Sequence, residues 1–224
     1  MIFLTMANNG CIDICKNMIH SAKNVGLNLD NFIIACLDVN AYDCMKEYKG
    51  AFLYNKIQSQ DYQNHSFDET SGFRQIVKNK WPIIKQIYKK YKNLCWIDCD
   101  IVFKQNPILL LESLDQMAFQ SDYPGMSICS GFMVFNSQEI SNNLIEECSK
   151  YENEDDQIIL NKKLVRERKY WGKFKILEAE LFPNGHTYYE ANKKENAIIV
   201  HNNCMIGIEQ KIKKFKEENL WYLN

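Results

Sequence analysis

The chain has 224 residues, 46% of them hydrophobic, and its 27 Lys and Arg nearly balance 28 Asp and Glu to leave a net charge of −1. That length and apolar content fit one globular domain with its own core, and the balanced charge gives no field that would draw the chain onto nucleic acid or an anionic membrane. The nine cysteines are odd in number and hold no CxxC pair, a pattern of reduced thiols rather than of a disulfide framework.

The elements follow from hydrophobic periodicity. Ile2 to Met6 is expected to be a strand, and Cys11 to Val25 a helix with Ile12, Cys15, Ile19 and Ala22 on one face. Phe32 to Leu37 is a continuous apolar run, as in a strand buried on both sides. A helix around Tyr42 to Tyr48, a short strand Ala51 to Tyr54 and a polar loop Asn55 to Thr70 come next. Helical pattern returns over Phe73 to Tyr91, where Pro82 is expected to kink or restart it. Leu94 to Ile97 is a strand ending at Asp98. The second half is less regular. It has strands at Met117 to Gln120, Gly131 to Asn136, Phe174 to Leu177 and Ala197 to Val200, with helices at Ser137 to Tyr151, Asp155 to Leu164 and Gly207 to Asn219. Strands alternating with helices predict an α/β fold around a mostly parallel sheet.

Asp98 and Asp100 carry the strongest chemical signal. Residues two apart on a strand share a face, so both carboxylates are expected together at a strand's carboxyl end, where open α/β sheets bind ligands. Such a pair repels unless a cation lies between, and Mg²⁺ or Mn²⁺ held with diphosphate oxygens would supply one. A second signal is His201 at the end of Ala197 to Val200, followed by Gly207 opening the last helix and Lys211 one turn on. A histidine ligand favours manganese over magnesium, the helix start offers N–H groups to phosphate, and the lysine suits a diphosphate leaving group. A third is Asp155-Asp156-Gln157, where one Asp is expected to cap the helix and the other to face the pocket; Asp155 is the better cap because it comes first.

These stretches resemble the nucleotide-diphospho-sugar transferases typified by the plant pectin α-xylosyltransferases, which have the GT-A fold. The resemblance runs through Phe3-Leu4-Thr5-Met6-Ala7-Asn8-Asn9-Gly10, Leu37-Asp38, Phe73-Arg74 and Lys80. It continues in Trp96-Ile97-Asp98-Cys99-Asp100-Ile101-Val102-Phe103 and Ser130-Gly131-Phe132-Met133-Val134-Phe135-Asn136. It ends in Asp156-Gln157, Leu181-Phe182-Pro183-Asn184-Gly185 and His201-Asn202 to Gly207 and Lys211. It implies one catalytic domain, with a nucleotide-binding half over 1–100 and an acceptor and metal-completing half over 101–224. It implies that Thr5, Met6, Ala7 and Asn8 wrap a nucleotide, expected to be uridine, and that Asp38 lies near its base or ribose. Asp98 would touch the ribose or the metal, Asp100 and His201 would hold the metal, and Gly207 and Lys211 would receive the diphosphate. Arg74 and Lys80 would reach phosphate or sugar, and Asp156 and Gln157 would lie at the transferred sugar, with retention of configuration.

The partners expected are therefore a nucleotide-sugar donor, a glycan or other hydroxyl acceptor and a divalent metal, with no nucleic acid. Acceptor and sugar choice is expected to lie in Asn55 to Thr70 and Ser121 to Cys129. No run reaches the ~18 apolar residues of a membrane span. Met1 to Thr5 lack the features of a signal peptide, so a cytoplasmic location is expected. Two other classes compete with this reading. A haloacid-dehalogenase-type phosphatase would use Asp98 as nucleophile and Asp100 as acid and base, but that motif sits on the first strand and carries a threonine where Val102 stands. A non-catalytic nucleotide-sugar-binding module would have had no need to keep the carboxylates, His201 and Lys211 together.

Overall fold

The computed structural model describes residues 1–54, 72–123, 127–136, 138–151, 154–192 and 194–223. The first half alternates β1 (Ile2–Ala7), α1 (Ile12–Asn24), β2 (Phe32–Cys36), α2 (Val39–Met45), β3 (Ala51–Leu53), α3 (Gly72–Val77), α4 (Lys80–Tyr88) and β4 (Leu94–Ile97). The second half holds β5 (Ile101–Phe103), α5 (Ile108–Glu112), β6 (Met117–Tyr123), β7 (Ser127–Phe135), α6 (Glu139–Cys148), α7 (Asp156–Arg166), β8 (Phe174–Ile176), β9 (Ile199–His201) and α8 (Ile208–Glu217). No helix among the described residues is long and apolar enough to cross a membrane.

Among the described residues, seven strands form one sheet in the order β3-β2-β1-β4-β7-β6-β8. The ladders β3–β2, β2–β1, β1–β4 and β6–β8 are parallel, whereas β7 runs antiparallel to both neighbours. β5 and β9 make a separate antiparallel pair, registered with Ile101 opposite His201. Strand order reverses between β1 and β4, because β2 and β3 continue from β1 in one direction and β4 opens the other. A crevice forms at the carboxyl ends of strands at such a switch point, and Asn8 and Asp98 follow the two strands there.

The two-residue period of the strands divides their side chains between two cores. Phe3, Ile34, Cys36, Cys95, Ile97, Phe132 and Val134 pack with α1 and α2 on one face. Leu4, Ala35, Leu94, Trp96, Met133 and Phe135 pack with α4, α6 and α7 on the other. The continuous apolar run of β2 is thus read correctly as a strand covered on both faces. A third cluster, built on Ile14, Val102, Val200 and Phe215, seats the β5–β9 pair against α8.

Several boundaries differ from the sequence reading. The helix expected from Tyr42 starts at Val39, because the Asp38 carboxylate accepts the Ala41 N–H at 2.8 Å and caps it. The single helix expected over Phe73 to Tyr91 is two, with the Asn79 amide closing the first by donating to the Gln75 carbonyl at 2.7 Å. Pro82 falls in the first turn of α4, where its missing N–H costs nothing. Within the stretch Ser121 to Cys129, Ser121 to Tyr123 end β6 and Ser127 to Cys129 open β7, while residues 124–126 and 55–70 lie outside the described ones. α5 and a π-helical turn at His186–Glu190 carry too little periodicity to be foreseen.

Leu4 is fully buried on the central strand β1. Leu4→Ala is expected to lower the unfolding free energy by about 2–5 kcal/mol, the range for an aliphatic side chain removed from a packed interior. Urea denaturation checks it; a loss under about 1 kcal/mol would mean that this face of the sheet is not packed.

Candidate active site

β4 ends at Ile97, so Asp98 and Asp100 do not share a strand face as the pleat argument supposes. They flank a tight turn closed by the Ile101 N–H on the Asp98 carbonyl at 3.2 Å. The turn is pinned on both sides, with the Asp98 N–H donating to Gly131 O at 2.8 Å and the Asn202 N–H to Asp100 O at 3.0 Å. That second bond extends the β5–β9 ladder by one residue and sets His201 beside the carboxylates. One donor atom each from Asp98, Asp100 and His201 lies within 4.8 Å of the others.

These residues line a cleft of about 410 Å³ at the switch point. Of the residues singled out from sequence, Met6, Asn8, Lys80, Asp98, Asp100, Asp156, Gln157, His201 and Lys211 face it. Thr5, Ala7, Asp38, Arg74 and Gly207 are not among its lining. Asp38 is occupied as the α2 cap, and its other oxygen accepts the Asn9 N–H at 2.7 Å, which fixes the chain just past β1. Gly207 stands before α8 at φ +87°, a conformation that favours glycine.

The charges are compensated pairwise. Lys211 Nζ binds the Asp100 carboxylate, and His201 Nε2 lies 3.3 Å from its other oxygen. Burial alone would neutralise Asp100, but Lys211 and His201 hold its carboxyl well below the usual range. Burial likewise disfavours the imidazolium of His201, yet the Asp100 carboxylate overcomes this and pushes it up to about 10. Lys80, buried with 2% of its surface exposed, bridges the second set of carboxylates. Its Nζ is 2.5 Å from Asp156 Oδ2 and 3.1 Å from Asp98 Oδ1, and it donates to Ser130 O at 3.2 Å. Burial opposes its charge, and Asp156 and Asp98 raise its pKa above that of an ordinary lysine.

The start of α7 is as expected. Asp155 caps it by accepting the Gln157 and Ile158 N–H groups at 3.0 and 3.1 Å, and Asp156 turns inward. Ser130 Oγ donates to Asp156 Oδ2 at 2.7 Å, and Gln157 Nε2 donates to Asp122 at 2.9 Å. Ser130, Asp122, Gln120 and Gly131 are site residues that no periodicity argument finds. Ser130 and Gly131 stand in a stretch that carries the family resemblance, and an isolated glycine inside an apolar strand is a signal that could have marked a close approach. A Cβ there would come within 2.1 Å of His201 Cε1.

A divalent cation fits this centre. Two carboxylates and an imidazole nitrogen converge on one point, a donor set that suits such an ion.

The family model of the nucleotide-diphospho-sugar transferases matches residues 27–215. The chain is 25% identical over 279 aligned positions to the UDP-galactose:fucoside alpha-3-galactosyltransferase of Dictyostelium discoideum, covering 98% of this chain and 42% of that one. It is 23% identical over 193 positions to the UDP-D-xylose:L-fucose alpha-1,3-D-xylosyltransferase 1 of Arabidopsis thaliana, covering 69% and 52%. The chain thus spans about half the length of the curated relatives it matches. The fold is that of the Streptococcus pneumoniae TIGR4 glycosyltransferase GlyE, with a TM-score of 0.56 at 17% identity over 99% of this chain and 64% of that one.

Lys80→Met leaves Asp156 buried beside Asp98 without its counter-charge and is expected to destabilise the fold by about 3–5 kcal/mol. Adding Asp156→Asn removes the stranded charge and should restore most of that loss in thermal or urea unfolding. Equal stability of the single and double variants would refute the pairing.

Proposed function

The chain belongs to the nucleotide-diphospho-sugar transferase family, and on that premise we propose that it transfers a sugar from a UDP-sugar to a fucose-containing acceptor, using a divalent cation and retaining the donor's α configuration. The observation that carries the reading is the convergence of Asp98, Asp100 and His201 beside Lys211 at the crevice between β1 and β4. The acceptor class rests on the names of the two relatives, which both carry fucose or fucoside with an α-3 or α-1,3 linkage. Their sugars differ, so galactose and xylose are the donors to compare first.

In this reading Met6 and Asn8 shape the nucleotide end of the cleft, with Asp38 holding the backbone beyond them. Asp98, Asp100 and His201 are the metal ligands, and an imidazole in the set favours manganese over magnesium. A bound cation would neutralise the diphosphate and ease its departure. Lys211, already at Asp100, is placed to share charge with that leaving group. Lys80 and the Ser130 hydroxyl clamp Asp156 in place. We assign the fixed carboxylate of Asp156 and the amide of Gln157 to the face of the anomeric carbon, where they stabilise the positive charge that develops as the bond to diphosphate breaks. The half over 1–100 then serves the donor, and the half over 101–224 completes the metal site and receives the acceptor in one catalytic domain. We place the activity in the cytoplasm, in keeping with nine cysteines that all stand as free thiols.

Purified protein with a fucoside and UDP-galactose or UDP-xylose should give product with Mn²⁺ and none with excess chelator. Asp100→Ala is expected to cut turnover about 100-fold or more, the scale for loss of a preorganised electrostatic partner. Full activity in chelator would sink the metal-dependent reading.

The anomeric proton coupling of fresh product, read by NMR, should report an α linkage. Asp156→Asn should lower turnover about 100-fold with donor affinity nearly unchanged, as for an interaction made in the transition state. A β-linked product would instead make the reaction inverting and recast a carboxylate as general base toward the acceptor.

A further inference from the structure

Gln120 is a fully buried amide that follows the buried apolar run Met117, Ala118 and Phe119 of β6. Its Nε2 lies 3.0 Å from both Phe182 O and Pro183 O. Carbonyl oxygens only accept, so the NH₂ end must face them, and the orientation of the amide is thereby fixed. Its Oε1 then lies 2.8 Å from His201 Nδ1, which must be the donor in that contact. The other group near Nδ1 is Cys129 Sγ at 3.6 Å, a weaker acceptor whose sulfur also receives the Gly131 N–H at 3.3 Å. The ring's carbon edge rests on Gly131, where any side chain would collide with it. Its remaining nitrogen, Nε2, faces Asp100 Oδ1 at 3.3 Å and Asp98 Oδ2 at 3.9 Å.

We propose that Gln120 is a positioning residue that keeps the His201 proton on Nδ1 and so makes Nε2 the nitrogen offered to the cation. The inference rests on the metal reading of the site given above. A ring nitrogen already donating to Gln120 has no lone pair for a metal, so the hydrogen bond selects the ligating atom as well as the ring plane. The Phe182-Pro183 carbonyls belong to the same device, because they prevent the amide from turning over and offering its NH₂ to the ring. The chain on which they lie then reaches the isolated bridge between Asn184 and His201, so the same segment supports both the amide and the histidine backbone.

Two measurements test it. In ¹⁵N-histidine protein loaded with Mg²⁺, which is diamagnetic, His201 is expected to carry its proton on Nδ1; a proton on Nε2 would overturn the proposal without any variant. Mn²⁺ affinity, followed by electron paramagnetic resonance, is expected to fall about 10–100-fold in Gln120→Met. The same change in a His201→Ala background should cost nothing further, since Gln120 acts through the ring. An equal loss in both backgrounds would mean that Gln120 serves only packing, and unchanged affinity in Gln120→Met would also overturn the proposal. If His201→Ala itself leaves Mn²⁺ affinity intact, the metal reading fails and this inference falls with it.

Discussion

The short antiparallel pairing of β5 with β9 is the contact on which the site depends. It sets Ile101 opposite His201 and continues through the Asn202 N–H to the Asp100 carbonyl at 3.0 Å. Two segments a hundred residues apart are thereby fixed within a few ångströms, and the side chains at their ends need only be of the right type. The pair lies outside the main sheet and is held by its own apolar cluster with α8. The helix that carries Lys211 is therefore positioned by the same packing that positions His201. A strand pair only three residues long would be marginal by itself, and Val102, Val200 and Phe215, all buried, provide the apolar support it needs.

Burying this much charge is costly unless each group is answered. The cleft meets that constraint with two groups of three, Asp100 with Lys211 and His201, and Asp98 and Asp156 with Lys80. Each lysine sits on a helix and each carboxylate on a turn or helix start, so the ion pairs also tie α4, α7 and α8 to the edge of the sheet. Such pairs add little net stability over an apolar core, but they make every arrangement that separates the partners expensive. A site built in this way is preorganised, with donor, acceptor and charge fixed before any ligand arrives. Further hydrogen bonds complete it: Trp96 Nε1 donates to Asp98 at 2.8 Å, Ser130 to Asp156, His201 to Gln120 and Gln157 to Asp122.

Much of the fold was legible because its signals are local. The continuous apolar run of β2 reads as a strand covered on both faces, and the 3.6-residue period of α1 names Cys15, Ile19 and Ala22 on its buried side. Asp155 was legible as a cap because the first Asp before an apolar helix has its side chain free to meet the second and third N–H groups. Local signals also misled. Alternation put Asp98 and Asp100 on one strand face, whereas the strand stops at Ile97 and a turn brings the carboxylates together. The place near base or ribose that the family resemblance implies for Asp38 had no local signal behind it; in the structure its carboxylate caps α2 and accepts the Asn9 N–H.

By itself the sequence determined the α/β alternation and the residue types at the centre of the site, because these depend on side-chain chemistry and on neighbours a few positions away. The tertiary structure alone decided which of those residues meet. Lys80 is an ordinary helical lysine until α4 packs so that its ammonium enters the space between Asp98 and Asp156. Ser130, Gly131 and Gln120 look like sheet positions until β6 and β7 lie beneath His201. Their roles depend on register and on contacts between segments up to 81 residues apart for Gln120 and His201. Such contacts are set by how two cores close against one sheet, and no local period of the chain records that.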